Sequence, residues 1–199
     1  VEDQLSRLRD GLDGSQARGW LQTQRAGNRF YFGRYTGRTP VSGNRTPTGI
    51  ARLRAELASL ERDAHTVAAL PAERFFPSMD GGEMWSRWDM QETAPDILIT
   101  NYSMLNIMLM RSLEGPIFEQ TKAWLEADRS NCFSLVIDEL HAYRGTPGTE
   151  VAYILRLLFQ RLGLDERPDQ LRILATSASV DNNPASRKFL REFFGRDRF

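Results

Sequence analysis

The sequence is short of the residues that build several common kinds of site. It has a single cysteine, Cys132, in 199 residues. One thiol excludes an internal disulfide and any zinc cluster built on cysteine. Lysine is nearly as scarce: of 26 basic residues, only Lys122 and Lys188 are lysine. Ala123 and Phe189 follow them and neither lysine follows a glycine, so the chain holds no G-x-x-x-x-G-K-[ST] phosphate loop. Charge of one sign is missing too, since 26 acidic residues balance the basic ones. No whole-molecule field therefore draws nucleic acid or an anionic membrane, and any polyanion site must be a local patch. Long apolar runs are also absent. The longest uncharged apolar stretch, "ILITNYSMLNIMLM", is too short to span a bilayer and carries two asparagines. With no signal-peptide pattern at the start, the expected setting is a reducing, cytoplasmic one.

What is present reads as an ordinary globular chain, with 41% hydrophobic and 26% charged residues. Its length suits one domain or a large piece of one. The opening "VEDQLSRLRDGL" has no initiator methionine and reads as the interior of a helix, with Val1, Leu5, Leu8 and Leu12 on one face. Strands are expected at "RFYFGRYT" (29–36), "DILIT" (96–100), "FSLVID" (133–138) and "LRILATS" (171–177). The last three are short unbroken apolar runs, which suit interior strands of a parallel sheet buried on both faces. Helical patterns lie between and after them, in "YSMLNIMLMRSL", "PIFEQTKAWLEA", "GTEVAYILRLLFQRLG" and "NPASRKFLREFFG". Alternation of this kind predicts an α/β fold with a mainly parallel sheet flanked by helices.

One region breaks the rhythm. From Thr46 to Leu70 the spacing predicts a long amphipathic helix, with Thr46 as N-cap, Pro47 in the first turn, and Ile50, Leu53, Leu57, Leu60, Ala64 and Val67 as its apolar stripe. His65 lies on it without acidic or cysteine partners at ligand spacing, which makes it an ordinary helix histidine. A Pro-, Gly- and aromatic-rich stretch follows, so residues 46–95 read as an insertion on the α/β core. Phe75, Phe76, Trp85 and Trp88 in this stretch could stack on unpaired bases. Packing of the insertion onto the core is the better expectation for them.

The most specific stretch is "LVIDELHAYR" (135–144). An apolar strand ends on adjacent carboxylates, Asp138 and Glu139, and His141 follows. Ligands of open α/β sheets collect at the carboxyl ends of the strands. Two carboxylates there can hold Mg²⁺ and polarise an attacking water. Read this way, Asp138 handles a metal on nucleotide phosphates and Glu139 orients or deprotonates the water, as in a Walker B motif.

The Asp-Glu-x-His pattern resembles motif II of the DEAD/DEAH-box family of superfamily 2 helicases. "ATSAS" (175–179) resembles its motif III, with Ser177, Ala178 and Ser179 where Ser-Ala-Thr is usual. "DILITNYSML" (96–105) resembles motif Ic, with Thr100-Asn101 where Thr-Pro is commoner. "YTGRT" (35–39) resembles motif Ib, and "VEDQLSRL" resembles the tail of motif Ia. The motifs stand in family order across nearly the whole of 1–199, and "HAYRG" and "NYSMLNIMLMR" look most like large bacterial DNA helicases of the repair or antiphage-defence type.

The resemblance implies an incomplete RecA-like domain of the P-loop NTPase type, acting with ATP and Mg²⁺. It implies catalytic roles for Asp138, Glu139 and His141, with coupling through Ser177, Ala178 and Ser179. It also implies contacts from Gly37, Arg38, Thr39, Thr100 and Asn101 to a nucleic-acid backbone, DNA rather than RNA. The missing phosphate loop and second RecA-like domain would be supplied by a longer chain, so the isolated piece is expected to be inactive as an ATP hydrolase. Arg34, Arg45 and Arg144 are further candidates for phosphate contact or for surface ion pairs. Two other readings fit the residues: a scaffold or nucleic-acid-binding module that keeps the fold without hydrolysis, and a metal-dependent nuclease using Asp138, Glu139 and Glu150.

Overall fold

The structure is a computed structural model that describes residues 2–67, 75–76, 80–178 and 183–196. All strand pairings in it are parallel and helices lie between the strands, so the fold is α/β as expected. The strands form two sheets rather than one, each in its own compact unit, one up to Met104 and one from Leu105 onward.

The first unit opens with α1 (Glu2–Leu8), a π-helical turn (Arg9–Asp13) and α2 (Ser15–Gln24). Its sheet has the order β2-β1-β3, built from β1 (Phe32–Tyr35), β2 (Glu83–Met84) and β3 (Ile97–Thr100). Tyr35 and Thr100 are register partners at the carboxyl end of the central pair. Arg9, in the π turn, ties the helices to β2: its Nε and Nη2 donate to the two Glu83 oxygens at 2.6 and 3.0 Å. Both side chains are nearly buried, 11% and 10% exposed, so this fork stands in for water around two charges.

Between β1 and β2 runs α3 (Pro47–Thr66). It starts where the sequence says it should, because the Thr46 hydroxyl accepts the Gly49 N–H at 3.1 Å and Pro47 needs no N–H partner. Its apolar stripe is only half-buried, and no residue of the helix is fully buried. The short α4 (Arg87–Glu92) behaves differently. A capping box fixes its start, with Ser86 Oγ accepting from Asp89 N–H at 3.2 Å and Asp89 Oδ2 accepting from Ser86 N–H at 3.0 Å. It then buries Arg87, Trp88 and Met90. Two glycines allow this close approach: a Cβ on Gly33 would lie 2.4 Å from the Met90 sulfur, and one on Gly49 would lie 2.6 Å from the Trp88 ring.

In the second unit α5 (Tyr102–Met110), which begins in the first, leads to α6 (Gly115–Ala127) and β4 (Phe133–Ile137). A 3₁₀ turn (Leu140–Tyr143), α7 (Thr146–Arg161), β5 (Leu171–Ala175) and α8 (Pro184–Phe194) complete it. Asp128, just past α6, accepts the Ser130 N–H at 2.8 Å, and this bond with a second from the Ser130 side chain holds its carboxyl below the usual range. The β4–β5 pair departs from the expectation of strands buried on both faces. Its residues alternate, and the register partners Val136 and Leu174 are 65% and 52% exposed. A two-stranded parallel pair joined by one crossover helix covers one face only, so its apolar runs end half in water.

Gln170, 4% exposed, joins the start of β5 to the end of α6. Its Nε2 lies 2.8, 3.0 and 2.9 Å from the carbonyl oxygens of Leu125, Asp128 and Asn131. Two hydrogens serve three acceptors, so one is shared, and the ring of carbonyls dictates which end of the amide faces them.

Candidate functional site

The apolar run of β4 delivers Asp138 to the carboxyl end of the parallel β4–β5 pair, beside Thr176, the first residue after β5. The chain then reverses through Glu139, whose φ of 54° and ψ of 47° are left-handed. For a residue with a side chain that conformation costs about 1–2 kcal/mol and needs support from its surroundings. Thr176 gives it with all three of its polar groups. Its N–H donates to Ile137 O at 2.9 Å, its carbonyl accepts Leu140 N–H at 2.8 Å, and its hydroxyl donates to Asp138 Oδ1 at 2.5 Å. The Glu139 N–H, in turn, is shared by Asp138 Oδ1 at 3.1 Å and Thr176 Oγ1 at 3.2 Å.

The result presents two exposed carboxylates from a fixed backbone. His141 follows on the 3₁₀ turn, and its Nδ1 lies 3.2 Å from Glu139 Oε2. That approach is close enough for an ion pair when the imidazole is protonated, yet the angles are not those of a hydrogen bond, and buried Nδ1 has none among the described residues. The turn also leans on α8: the Tyr143 and Phe193 rings stack at 6.3 Å and the Arg144 guanidinium sits 5.9 Å over Phe189.

The structure thus brings Asp138, Glu139 and His141 together. Ser177 and Ala178 follow Thr176 directly, and Ser179 lies outside the described residues. Thr176 itself was missed in the sequence. Its signal was present, as a hydroxyl at the very end of a parallel strand next to the acid-bearing one, but the serines after it drew the motif match. The donor set suits Mg²⁺, a hard cation commonly held by one or two carboxylates together with substrate phosphates. Among the described residues no group of three His, Cys, Asp or Glu side chains could hold a metal ion.

Gly37, Arg38, Thr39, Thr100 and Asn101 lie in the first unit, at the carboxyl ends of β1 and β3. Thr36, Gly37, Arg38 and Thr39 form a turn closed by Thr39 N–H to Thr36 O at 3.1 Å. The Thr39 hydroxyl accepts Thr36 N–H at 2.9 Å and donates to Arg34 O, so it is buried and spent within the turn. Gly37 and Arg38 are the exposed tip, and a Cβ on Gly37 would meet nothing within 4 Å. The Thr100 hydroxyl donates to Tyr35 O at 2.8 Å, and Asn101 Oδ1 caps α5 by accepting Met104 N–H at 2.8 Å. Arg45 is paired with Glu92 at 3.3 Å on the surface. Trp88 is buried and donates its Nε1–H to Gly43 O at 2.8 Å, so it packs α4 against the loop after β1 rather than offering a free ring.

Comparison with known proteins gives two relatives. Over 98% of its length the chain is 35% identical to Druantia protein DruE of Escherichia coli, and it spans 13% of that protein. Over 56% of its length it is 30% identical to an uncharacterized ATP-dependent helicase of Methanocaldococcus jannaschii, spanning 14% of it. The chain thus spans less than a sixth of either relative, and one of the two is named a helicase. No family model matches the chain, and no solved structure does. Among the described residues no helix is long and apolar enough to cross a membrane.

Proposed function

We propose that the chain is part of the first RecA-like motor domain of a cytoplasmic superfamily 2 helicase or translocase, driven by ATP and acting on DNA. The observation that carries this reading is the acid turn, with Asp138 and strained Glu139 held by Thr176 at the end of a parallel strand. Bound Mg–ATP would supply the transferable γ-phosphoryl group. Asp138 would hold the magnesium, and Glu139 would orient the attacking water and take its proton. His141, 3.2 Å from Glu139, would respond to the charge on that acid and shift the 3₁₀ turn with it. Gly37, Arg38, Thr39, Thr100 and Asn101 would meet the nucleic-acid backbone. With the Thr39 and Thr100 hydroxyls already engaged, those contacts fall to the backbone amides, the Arg38 guanidinium and the Asn101 amide. The likeness to a protein named an ATP-dependent helicase supports the motor reading over a scaffold that has lost hydrolysis.

The test compares nucleotide affinity with turnover in the full-length protein. Glu139→Gln should leave Mg–ATP binding close to wild type while DNA-stimulated hydrolysis falls by about 10²–10⁴-fold, the usual worth of a positioned general base. Asp138→Asn should weaken magnesium-dependent binding itself. Turnover near wild type in Glu139→Gln would end the motor reading and leave the scaffold in its place.

A further inference from the structure

We propose that α4, within the insertion, is a clamp that sets the shape of the loop from Thr36 to Gly43, with Arg87 as its positioning residue. The proposal rests on the reading of Gly37 and Arg38 as backbone contacts for DNA. It assigns the insertion a part in nucleic-acid binding through residues that touch no nucleic acid.

Four hydrogen bonds and one cation–ring contact from α4 grip the loop and the strand that enters it. The Arg87 Nη2–H donates to Thr36 O at 2.7 Å, the same carbonyl that closes the turn beneath Arg38. The Arg87 N–H donates to Pro40 O at 3.3 Å, and Trp88 Nε1–H reaches Gly43 O at 2.8 Å. Gln91 Nε2 donates to the Tyr35 hydroxyl at 2.7 Å, and the Arg87 guanidinium lies 5.4 Å over the Tyr35 ring. Between the bonds at Pro40 and Gly43 stands Val41, with φ at 51°. A β-branched residue is a true outlier there, and such strain persists only where the surroundings over-determine the backbone.

Arg87 itself is unusual. It is 8% exposed, its Nε is buried without a hydrogen bond, and no carboxylate pairs with it among the described residues. A buried guanidinium without an acid is a poor way to stabilise a fold. Its rigid, planar guanidinium, resting over the Tyr35 ring with Nη2–H on Thr36 O, is well made for fixing where that carbonyl sits.

The test uses the full-length protein and single-stranded DNA, with affinity measured across a range of salt. Arg38→Ala should weaken binding and reduce the salt slope by about 0.7, the signature of one lost phosphate contact on a single strand. Arg87→Met, which replaces a buried charge by an apolar chain of similar size, should fold, because it removes a charge that no acid offsets and leaves Thr36 O still accepting the Thr39 N–H. It should lower affinity by about tenfold with the slope unchanged, since loop geometry is lost and no phosphate contact of its own. In the Arg38→Ala background it should add little, because it acts through Arg38. Val41→Gly, which relieves the strain without removing a hydrogen bond, should lower affinity in the same way and keep thermal stability. A salt slope that falls in Arg87→Met as it does in Arg38→Ala would mean Arg87 touches phosphate and positions nothing. Unchanged affinity in Arg87→Met or in Val41→Gly would also overturn the clamp. If Arg38→Ala binds DNA as wild type does, the reading of the loop fails first, whatever Arg87 does.

Discussion

The turn that carries Arg38 and the turn that carries Glu139 occupy the same kind of place, each at the carboxyl end of a parallel strand pair, and they spend their polar groups in opposite ways. In the first, the hydroxyls of Thr39 and Thr100 bond back to the chain, and a buried arginine holds the main chain from beneath. Only a glycine and an arginine remain at the tip. In the second, one neutral threonine does the bracing and leaves two carboxylates in water. A loop that must match a repeating polyanion gains from fixed shape and a single outward cation. A site that must bind a metal and move a proton gains from acids that stay solvated until the ligand arrives. Bracing is common to both, and on the function proposed above what it leaves exposed separates holding from chemistry.

The sharpest way to break this comparison is to remove the buried charges on the first side. Arg9→Ala leaves Glu83 buried without its fork and should destabilise the protein by about 3–5 kcal/mol in denaturant unfolding. Arg9→Met with Glu83→Leu should recover most of that loss. If the single change costs no more than a surface pair, the first region does not depend on buried charge and the contrast weakens.

Next in size is the brace on the second side. Thr176→Val keeps shape and removes the hydroxyl that holds Asp138 and the Glu139 N–H. In the full-length protein the magnesium concentration for half-maximal hydrolysis should rise by about 10–100-fold, as for loss of a partner that orients a metal ligand. DNA affinity should not move, and Thr176→Ser should restore the wild-type requirement. A wild-type magnesium response in Thr176→Val would reduce the threonine to a packing residue.

The smallest effect is expected away from both turns. Thr46→Ala removes the N-cap of α3 and should cost about 1 kcal/mol in thermal unfolding, with hydrolysis and DNA affinity unchanged. A large functional loss there would show that α3 serves one of the two turns directly.

Local chemistry made much of this legible in the sequence. Thr46 and Pro47 announce the start of α3 because a cap and a fixed φ act within one turn. The apolar run into Asp138 places a strand and an acid turn for the same reason. What escaped depends on contacts between distant residues. Nothing near Glu139 says that it is left-handed, since a glutamate there is made tolerable by Thr176, 37 residues away. Arg87 reads as a surface arginine until Tyr35 and Thr36 lie against it. The open face of β4 and β5 escaped as well, because an unbroken apolar run does not say whether one side or both will be covered.

Gln170 carries a consequence for the protein as it ages. Its amide serves three carbonyl oxygens, a task that only a donor can do. Hydrolysis of that amide to a carboxylate would set a negative charge among three partial negative charges in a site closed to water. The new acid could remain only by staying protonated, or else by pushing the end of α6 away from the start of β5. A single deamidation, invisible in size and shape, would therefore turn the seam between α6 and β5 into a point of pH-dependent opening.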